Sequence, residues 1–330
     1  MPHRCPTPLT RPHVTAINHP EKKFDPDHQL SLLVQLGSHL APIRCGVVHP
    51  CEPGALQGAI QSAAQALIEP ILIGPKARIL ATAQESGLDI GGLEIIDTPH
   101  SHAAAERAAE MAADASLEAL MKGSLHTDEF MAAIVAQPKL RTKRRISHVW
   151  RFEVPAYHKP LLISDGAINI APDLMEKMDI VQNAINLAHI LGNPMPRVAI
   201  LSAVETVNPK LTSTLDAAAL CKMADRKQIT GGLLDGPLAF DNAISLKAAQ
   251  IKDIESAVAG QADILIAPDL ESANMLGKQL EYLAGACTSG VVLGARIPLA
   301  LTSRADDANS RIGSALLAKL VAHHYRTHKP

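Results

Sequence analysis

Short apolar runs alternate with longer stretches of helical period along most of this chain. The runs are IRCGVVHP, EPILIGP, GLEIID, the stretch around HVWRFEVP, KPLLISDG, PRVAILSA, GGLLDGP, ADILIAPD and GVVLGARIPLALT, and each closes on turn residues such as His-Pro, Gly-Pro or Pro-Asp. Strands that alternate with helices predict βα units and an α/β fold with mostly parallel sheets. The intervening segments carry a period near 3.6. In APDLMEKMDIVQNAINLAHILGN, residues Leu174, Met178, Val181, Ile185 and Ala188 share one stripe, which is the pattern of a core-facing helix. Asp173 and Glu176 are spaced as an N-terminal cap pair, and Gly192 is placed to end that helix. Residues 1–28 show no such period and read as a loose arm.

Length changes the picture next. At 330 residues the chain exceeds what one core usually supports, so two domains are expected. The densest charge run, PKLRTKRRISH over 138–148, marks the boundary between them. It reads either as a solvated linker or as a source of cations facing a cleft between the domains, where open α/β sheets bind ligands.

Hydrophobic residues make up 47% but aromatics only 2%, so Ala, Leu, Ile and Val must fill the cores. The net charge of -2 predicts no broadly basic face and argues against a nucleic-acid partner. A small anion needs only two or three local cations, so it stays possible. Five scattered cysteines with no CxxC pair fit a reduced cytoplasm and suggest no metal site. No apolar run reaches bilayer length and the first residues lack the apolar core of a signal peptide, so a soluble cytoplasmic protein is expected.

There is no GxGxxG, GxxxxGK[ST], HExxH or GxSxG. The candidates are therefore polar residues after strands. His49 follows the first strand. Ser124 and Thr127, in KGSLHTDEF, open a helix, as caps or as an anion site. Asn208, Lys210, Thr212 and Ser213 precede a helix beginning near Leu215, and Asp241 with Asn242 stands between a strand and a helix. Each of these reads equally as cap or ligand. In LTSRADDANSR, Asp306 and Asp307 suit the first turn of a helix and need no function to explain them. Arg304 does not suit a helix start; a guanidinium there can bind phosphate in bidentate fashion, Ser303 adds a donor, and Arg141 could supply a second cation.

Residues from about 40 to 325 resemble the phosphate acetyltransferase/phosphate butyryltransferase family. The stretches that carry the resemblance include VVHPCEPGALQGAI, KGSLHTDEFM, LRTKRRISHVW, LLISDGAINIAPDLMEKMDIVQNAINLA, VAILSAVETVNPKLTSTLDAA, MADRKQITGGLLDGPLAFDNAIS and LTSRADD. The likeness looks strongest to the transferase part of the branch often described as bifunctional enoyl-CoA hydratase/phosphate acetyltransferase.

The resemblance implies two three-layer α/β domains of the isocitrate/isopropylmalate dehydrogenase type, with the active site in the interdomain cleft, and a homodimer. It implies that residues from about 295 return to the first domain, giving 1–150 plus 295–330 and 151–294. It implies the reaction acyl-CoA + phosphate ⇌ acyl phosphate + CoA, by direct attack of the CoA thiolate, with coenzyme A as substrate and no bound cofactor or metal. Arg141 matches a site arginine of the family, Arg304 its phosphate-holding arginine and Ser303 the serine beside it. A second family arginine has no match. The family's general base is an Asp seven residues after that serine, where an ungapped count finds Ser310; Asp306 is the carboxylate assigned the role here. On the same footing Ser124, Thr127, Asn208, Thr212, Ser213, Asp241, Asn242 and Ser310 are expected to bind substrate. The competing expectations are a phosphate acyltransferase of lipid synthesis using acyl carrier protein, and a non-catalytic CoA- or phosphate-binding protein.

Overall fold

The computed structural model describes residues 30–301 and 307–330. The arm over 1–28 and the candidates Ser303, Arg304 and Asp306 lie outside the described residues.

The strands are β1 (Ile43–Val48), β2 (Ile68–Gly74), β3 (Glu94–Asp97), β4 (Ala119–Lys122), β5 (Ser147–Glu153), β6 (Leu161–Ser164), β7 (Arg197–Leu201), β8 (Leu233–Leu238), β9 (Ile264–Ile266), β10 (Cys287–Leu293) and β11 (Leu299–Ala300). They form one sheet in the order β3-β2-β1-β4-β11-β10-β5-β6-β9-β7-β8. The expected α/β architecture with mostly parallel pairing is present. One parallel block runs from β3 to β11 and another from β6 to β8. The antiparallel strands β10 and β5 join them edge to edge. The joint pairs two edges that would otherwise present open backbone groups.

Two strands differ from the sequence pattern. The segment ALMK, built of good helix formers, is the fully buried strand β4. The run GVVLGARIPLALT is not one strand: Gly294, at φ 90°, turns the chain between β10 and β11. A Cβ there would stand 2.4 Å from the Arg145 carbonyl oxygen, so glycine is required twice over.

Helices cover both faces, but unequally. Helix α6 (Leu174–Ile190) starts on a full capping box, Asp173 with Glu176, as its sequence predicts. It packs on β5 and β6 and touches α11 (Ala308–Thr327), which lies on β10. A continuous core therefore runs under both blocks on this face, from Val47 and Leu316 to Ile180 and Ile264. On the opposite face the core is split. One part joins α4 (Ser101–Ala113) and α5 (Thr127–Ala136) to the first block, through Ala108, Phe130 and Ile134. The other packs Ile163, Ala199, Leu265 and Ala273 over the second block, with α10 (Leu270–Tyr282) on β6. The gap between these two cores is a cleft. Among the described residues no helix is long and apolar enough to cross a membrane.

Candidate active site

The cleft holds about 460 Å³. Its floor is the antiparallel joint. Alternation along β5 turns His148, Trp150 and Phe152 to one face, and their partners in register on β10 are Val292, Gly290 and Thr288. His148, Trp150 and Thr288 line the cleft.

One wall is the β4–α5 connection. Lys122 ends β4 with only 8% exposure, and its ammonium donates to the carbonyl oxygens of Gly123 (3.3 Å) and Leu125 (3.1 Å). A Cβ at Gly123 would meet the Val48 carbonyl oxygen at 2.5 Å, so only glycine lets the ends of the paired strands β1 and β4 approach this closely. Ser124 does not cap α5 as the sequence suggested. Its hydroxyl donates to the His49 carbonyl (2.7 Å) and accepts from Cys51 N–H (2.9 Å), lacing the β1 turn to the β4 turn. His49 Nδ1 lies 3.1 Å from the Ser124 carbonyl oxygen, and burial pushes that imidazole's pKa down. Thr127 is the first residue of α5 and lines the cleft; no side chain caps this helix.

The other wall is the β6 turn with α10. The Asp165 carboxylate accepts from the N–H groups of Ala167 (3.0 Å), Ile168 (3.1 Å) and Asn169 (3.1 Å). Burial raises its pKa and these bonds oppose the rise. The turn so formed presses Gly166 against Trp150, where a Cβ would stand 2.1 Å from the ring. Asn274 on α10 donates to the Gly166 carbonyl at 3.2 Å.

The cleft also reaches Leu301, immediately before residues 302–306. On the far side of that segment Asp307 is the N-cap of α11, accepting from Ser310 N–H at 2.7 Å. A structural reason for that carboxylate was expected. The Ser310 hydroxyl lies 3.2 Å from Thr288 Oγ1, so Ser310 abuts the cleft floor.

Other candidates stand elsewhere. Arg141 is exposed, its Nε donates to the Val135 carbonyl (2.8 Å), and it is not among the cleft-lining residues. Arg144 and Arg145 of the same charge run reach α6 instead, to Asp179 (3.6 Å) and Glu176 (3.0 Å). The groups at the ends of β7 and β8 chiefly bond to one another. Thr214 Oγ1 donates to Asn208 O (2.8 Å), Asn208 Oδ1 accepts from Lys210 N–H (3.0 Å), and Ser213 Oγ is 2.8 Å from Ser202 Oγ. Thr212 opens α7 (Thr212–Asp225) without a capping bond from Leu211. Asn242 donates to Glu205 (3.2 Å), and Lys252 bridges Glu205 (3.2 Å) and Asp241 (3.5 Å).

A larger cavity of about 640 Å³ lies on the opposite side, beneath α1 (Ser31–Gly37). Its charged lining is already paired, Lys159 with Asp263 and Arg151 with Glu153. Among the described residues that line it, none has a buried side-chain atom without a hydrogen-bond partner, and the smaller cleft is the better site.

The cleft has a different character. His148 is 1% exposed and neither ring nitrogen has a hydrogen-bond partner. Leaving buried polar atoms unmet costs about 1–3 kcal/mol each. Burial also pushes its pKa down to about 3, so the ring is neutral at ordinary pH. No cysteine is among the described residues that line the cleft, and burial pushes the thiols of Cys45, Cys221 and Cys287 up to about 12. Among the described residues no group of three or more His, Cys, Asp or Glu could hold a metal ion.

Sequence reasoning passed over His148, Asp165 and Lys122 as site residues. Alternation in SHVWRFE was the available signal for His148, since it sets His148 on the same face as Trp150 and Phe152.

Residues 101–319 match the family model described as phosphate acetyl/butaryl transferase. The chain is 56% identical over 283 residues to a phosphate acetyltransferase of Rhizobium meliloti, covering 86% of this chain and 90% of that one. It superposes on a branched-chain phosphotransacylase from Enterococcus faecalis with a TM-score of 0.75 at 28% identity, covering 85% of this chain and 99% of the other. A 4-hydroxythreonine-4-phosphate dehydrogenase from Klebsiella pneumoniae shares the fold alone, at a TM-score of 0.53 and 13% identity, covering 85% and 99%. The expected likeness to a dehydrogenase fold is seen there.

Proposed function

The chain belongs to the phosphate acetyl/butyryl transferase family, and from that membership we propose that it interconverts a short-chain acyl-CoA and phosphate with the acyl phosphate and CoA. The reaction takes place in the cleft between the two separate cores. The observation that carries this reading is the cleft itself: a buried cation, Lys122, an uncapped helix start at Thr127 and the unpartnered imidazole of His148 belong to residues that line one cavity. Leu301, which lines the cleft, directly precedes the segment TSRAD in the sequence.

In this reading Arg304 holds the phosphate in bidentate fashion and Ser303 adds a hydrogen bond. Asp306 takes the thiol proton. The CoA sulfur then forms a bond to the acyl carbon, and the C–O bond to phosphate breaks with its electron pair leaving on phosphate. A thiol of pKa about 8.5 is a few per cent ionised at neutral pH, so complete ionisation is worth roughly 2 kcal/mol. Positioning the two reactants is worth roughly 7–11 kcal/mol in the best intramolecular cases. The phosphate clamp therefore outweighs the base. This agrees with a serine, Ser310, standing where the family carries its base.

We assign residues 1–150 with 295–330 to one unit and 151–294 to the other, with the protein acting as a homodimer in the cytoplasm. The acyl group is acetyl or a close homologue, as the name of the rhizobial relative suggests.

The test is thiol release from acetyl-, propionyl- and butyryl-CoA with and without phosphate. Phosphate-dependent release is expected, greatest with acetyl-CoA. Measurable CoA binding with no release from any of the three would support the binding-protein reading instead. Light scattering after size exclusion checks the dimer.

A further inference from the structure

Trp150 is the one tryptophan of the chain, and it stands half-buried on the cleft floor, at the middle of β5. Three glycines from different elements close around its ring. Gly166, in the β6 turn, abuts the benzenoid edge. A Cβ on Gly277 of α10 would stand 2.9 Å from Cζ3, and one on Gly290 of β10 would stand 3.2 Å from Cδ1. His148 and Phe152, its neighbours on the same face of β5, meet it edge to face with ring centroids 5.0 and 5.9 Å away. A ring seated this closely is a fixed surface.

The space that the ring fills adjoins the cleft. Trp150 and Gly166 both line the cleft, while the side of the ring next to Gly277 leads towards Phe152 and the core of the second block. The other apolar residues of the lining, Leu125, Ala167, Leu270 and Leu301, are all smaller, so the indole is the bulkiest apolar group there. The floor beside it is also where the two flanks of TSRAD arrive. Leu301 lines the cleft, and Ser310, in the first turn of α11, meets Thr288. Thr288 lies two residues along β10 from Gly290, the register partner of Trp150.

Resting on the transferase reading, we propose that Trp150 sets the acyl-chain length, with the hydrocarbon end of the acyl group lying against the indole. An acyl phosphate is charged at one end and apolar at the other. Held at its phosphate by the TSRAD segment, it turns its apolar end to the largest apolar surface of the floor. Acetyl fits in front of the ring, whereas each further methylene must displace a wedged side chain. The indole makes and breaks no bond and moves no proton; it acts by occupying volume. A hydrophobic pocket discriminates one methylene by about 10–200-fold.

The experiment compares the parent enzyme with Trp150→Ala and Trp150→Leu on acetyl, propionyl and butyryl phosphate with CoA. Its readout is the ratio of kcat/KM for butyryl phosphate to that for acetyl phosphate, which a loss of folded enzyme leaves unchanged. We expect the ratio to rise about tenfold or more in Trp150→Ala, and by a smaller factor in Trp150→Leu. The KM for CoA should stay within about threefold of the parent's in both. Because the chain has no other tryptophan, its fluorescence reports the same contact without turnover. Acetyl phosphate should alter the emission of the parent, and inorganic phosphate, which lacks the acyl group, should not.

A butyryl-to-acetyl ratio within about threefold of the parent's in folded Trp150→Ala overturns the proposal. So does an emission change that inorganic phosphate reproduces in full. Should Trp150→Ala not fold, Trp150→Leu decides, and a ratio equal to the parent's overturns it; should neither fold, the emission decides. A parent enzyme active on no acyl phosphate would instead sink the transferase reading.

Discussion

The cleft floor and the outer rim, at the ends of β7 and β8, both carry polar residues beside strands, yet they differ in what those residues touch. At the outer rim the polar groups chiefly satisfy one another: Asn208 with Thr214, Ser202 with Ser213, and Asn242, Glu205, Lys252 and Asp241 in a chain. One atom, Asn242 Oδ1, is left over. At the floor, both nitrogens of a fully buried imidazole are left over, in a residue that lines the cleft. Satisfied polar groups hold a loop together, whereas a buried polar atom left without a partner costs the fold free energy. The difference lies in partners, which are three-dimensional, and not in residue type.

The comparison can be broken or sharpened in order of expected effect. Arg304→Ala should lower kcat/KM by about 10³-fold or more, equivalent to about 4 kcal/mol. Near-normal turnover in that variant would remove the phosphate clamp from the proposal. Next, on the outer block, Lys177 is 7% exposed and pairs with Asp216 at 2.7 Å. Asp216→Ala strands a buried cation and should cost about 3 kcal/mol in urea unfolding, while the folded enzyme keeps its kcat.

Acid should act through the floor. The His148 pKa is lowered in the folded protein, so the unfolded chain binds a proton first. Stability is complete above the unfolded value near 6.5 and is lost as pH falls towards about 3, by about 1.4 kcal/mol per pH unit. Melting temperatures between pH 7 and 4.5 should fall less steeply in His148→Gln. Asp307→Ala removes the α11 cap and should cost about 1 kcal/mol, with activity within threefold; a larger loss of activity would make that carboxylate a rival to Asp306 as the base. The smallest effect belongs to Ser213→Ala: less than about 1 kcal/mol and no change in KM for CoA. A tenfold rise in that KM would show that the outer rim binds substrate after all, and the contrast would fail.

Local structure was legible where local chemistry decides it. The capping box of α6 is written in DLME, and β1 and β2 stand out as apolar runs closed by turns. β4 was not legible, because Ala, Leu, Met and Lys favour helix and only burial on every side makes them a strand. Nor was the sheet order, which pairs β4 with a strand near the other end of the chain. For the site, Thr127 and Ser310 were singled out in sequence and do reach the cleft or its floor. His148 was not, because a single histidine within a strand gives no hint of what its ring will lack.

The position of β11 has a consequence for how the molecule is made. This strand of two residues, Leu299–Ala300, lies between β4 and β10 near the middle of the sheet. During synthesis β4 therefore leaves the ribosome long before its neighbour exists. At 5–20 residues per second the wait is on the order of ten seconds or more. Throughout it, the first block carries an open, apolar edge able to pair with another nascent chain. Translation of the segment that carries β11 is thus the step that seals the sheet, and chaperones have most to do just before it.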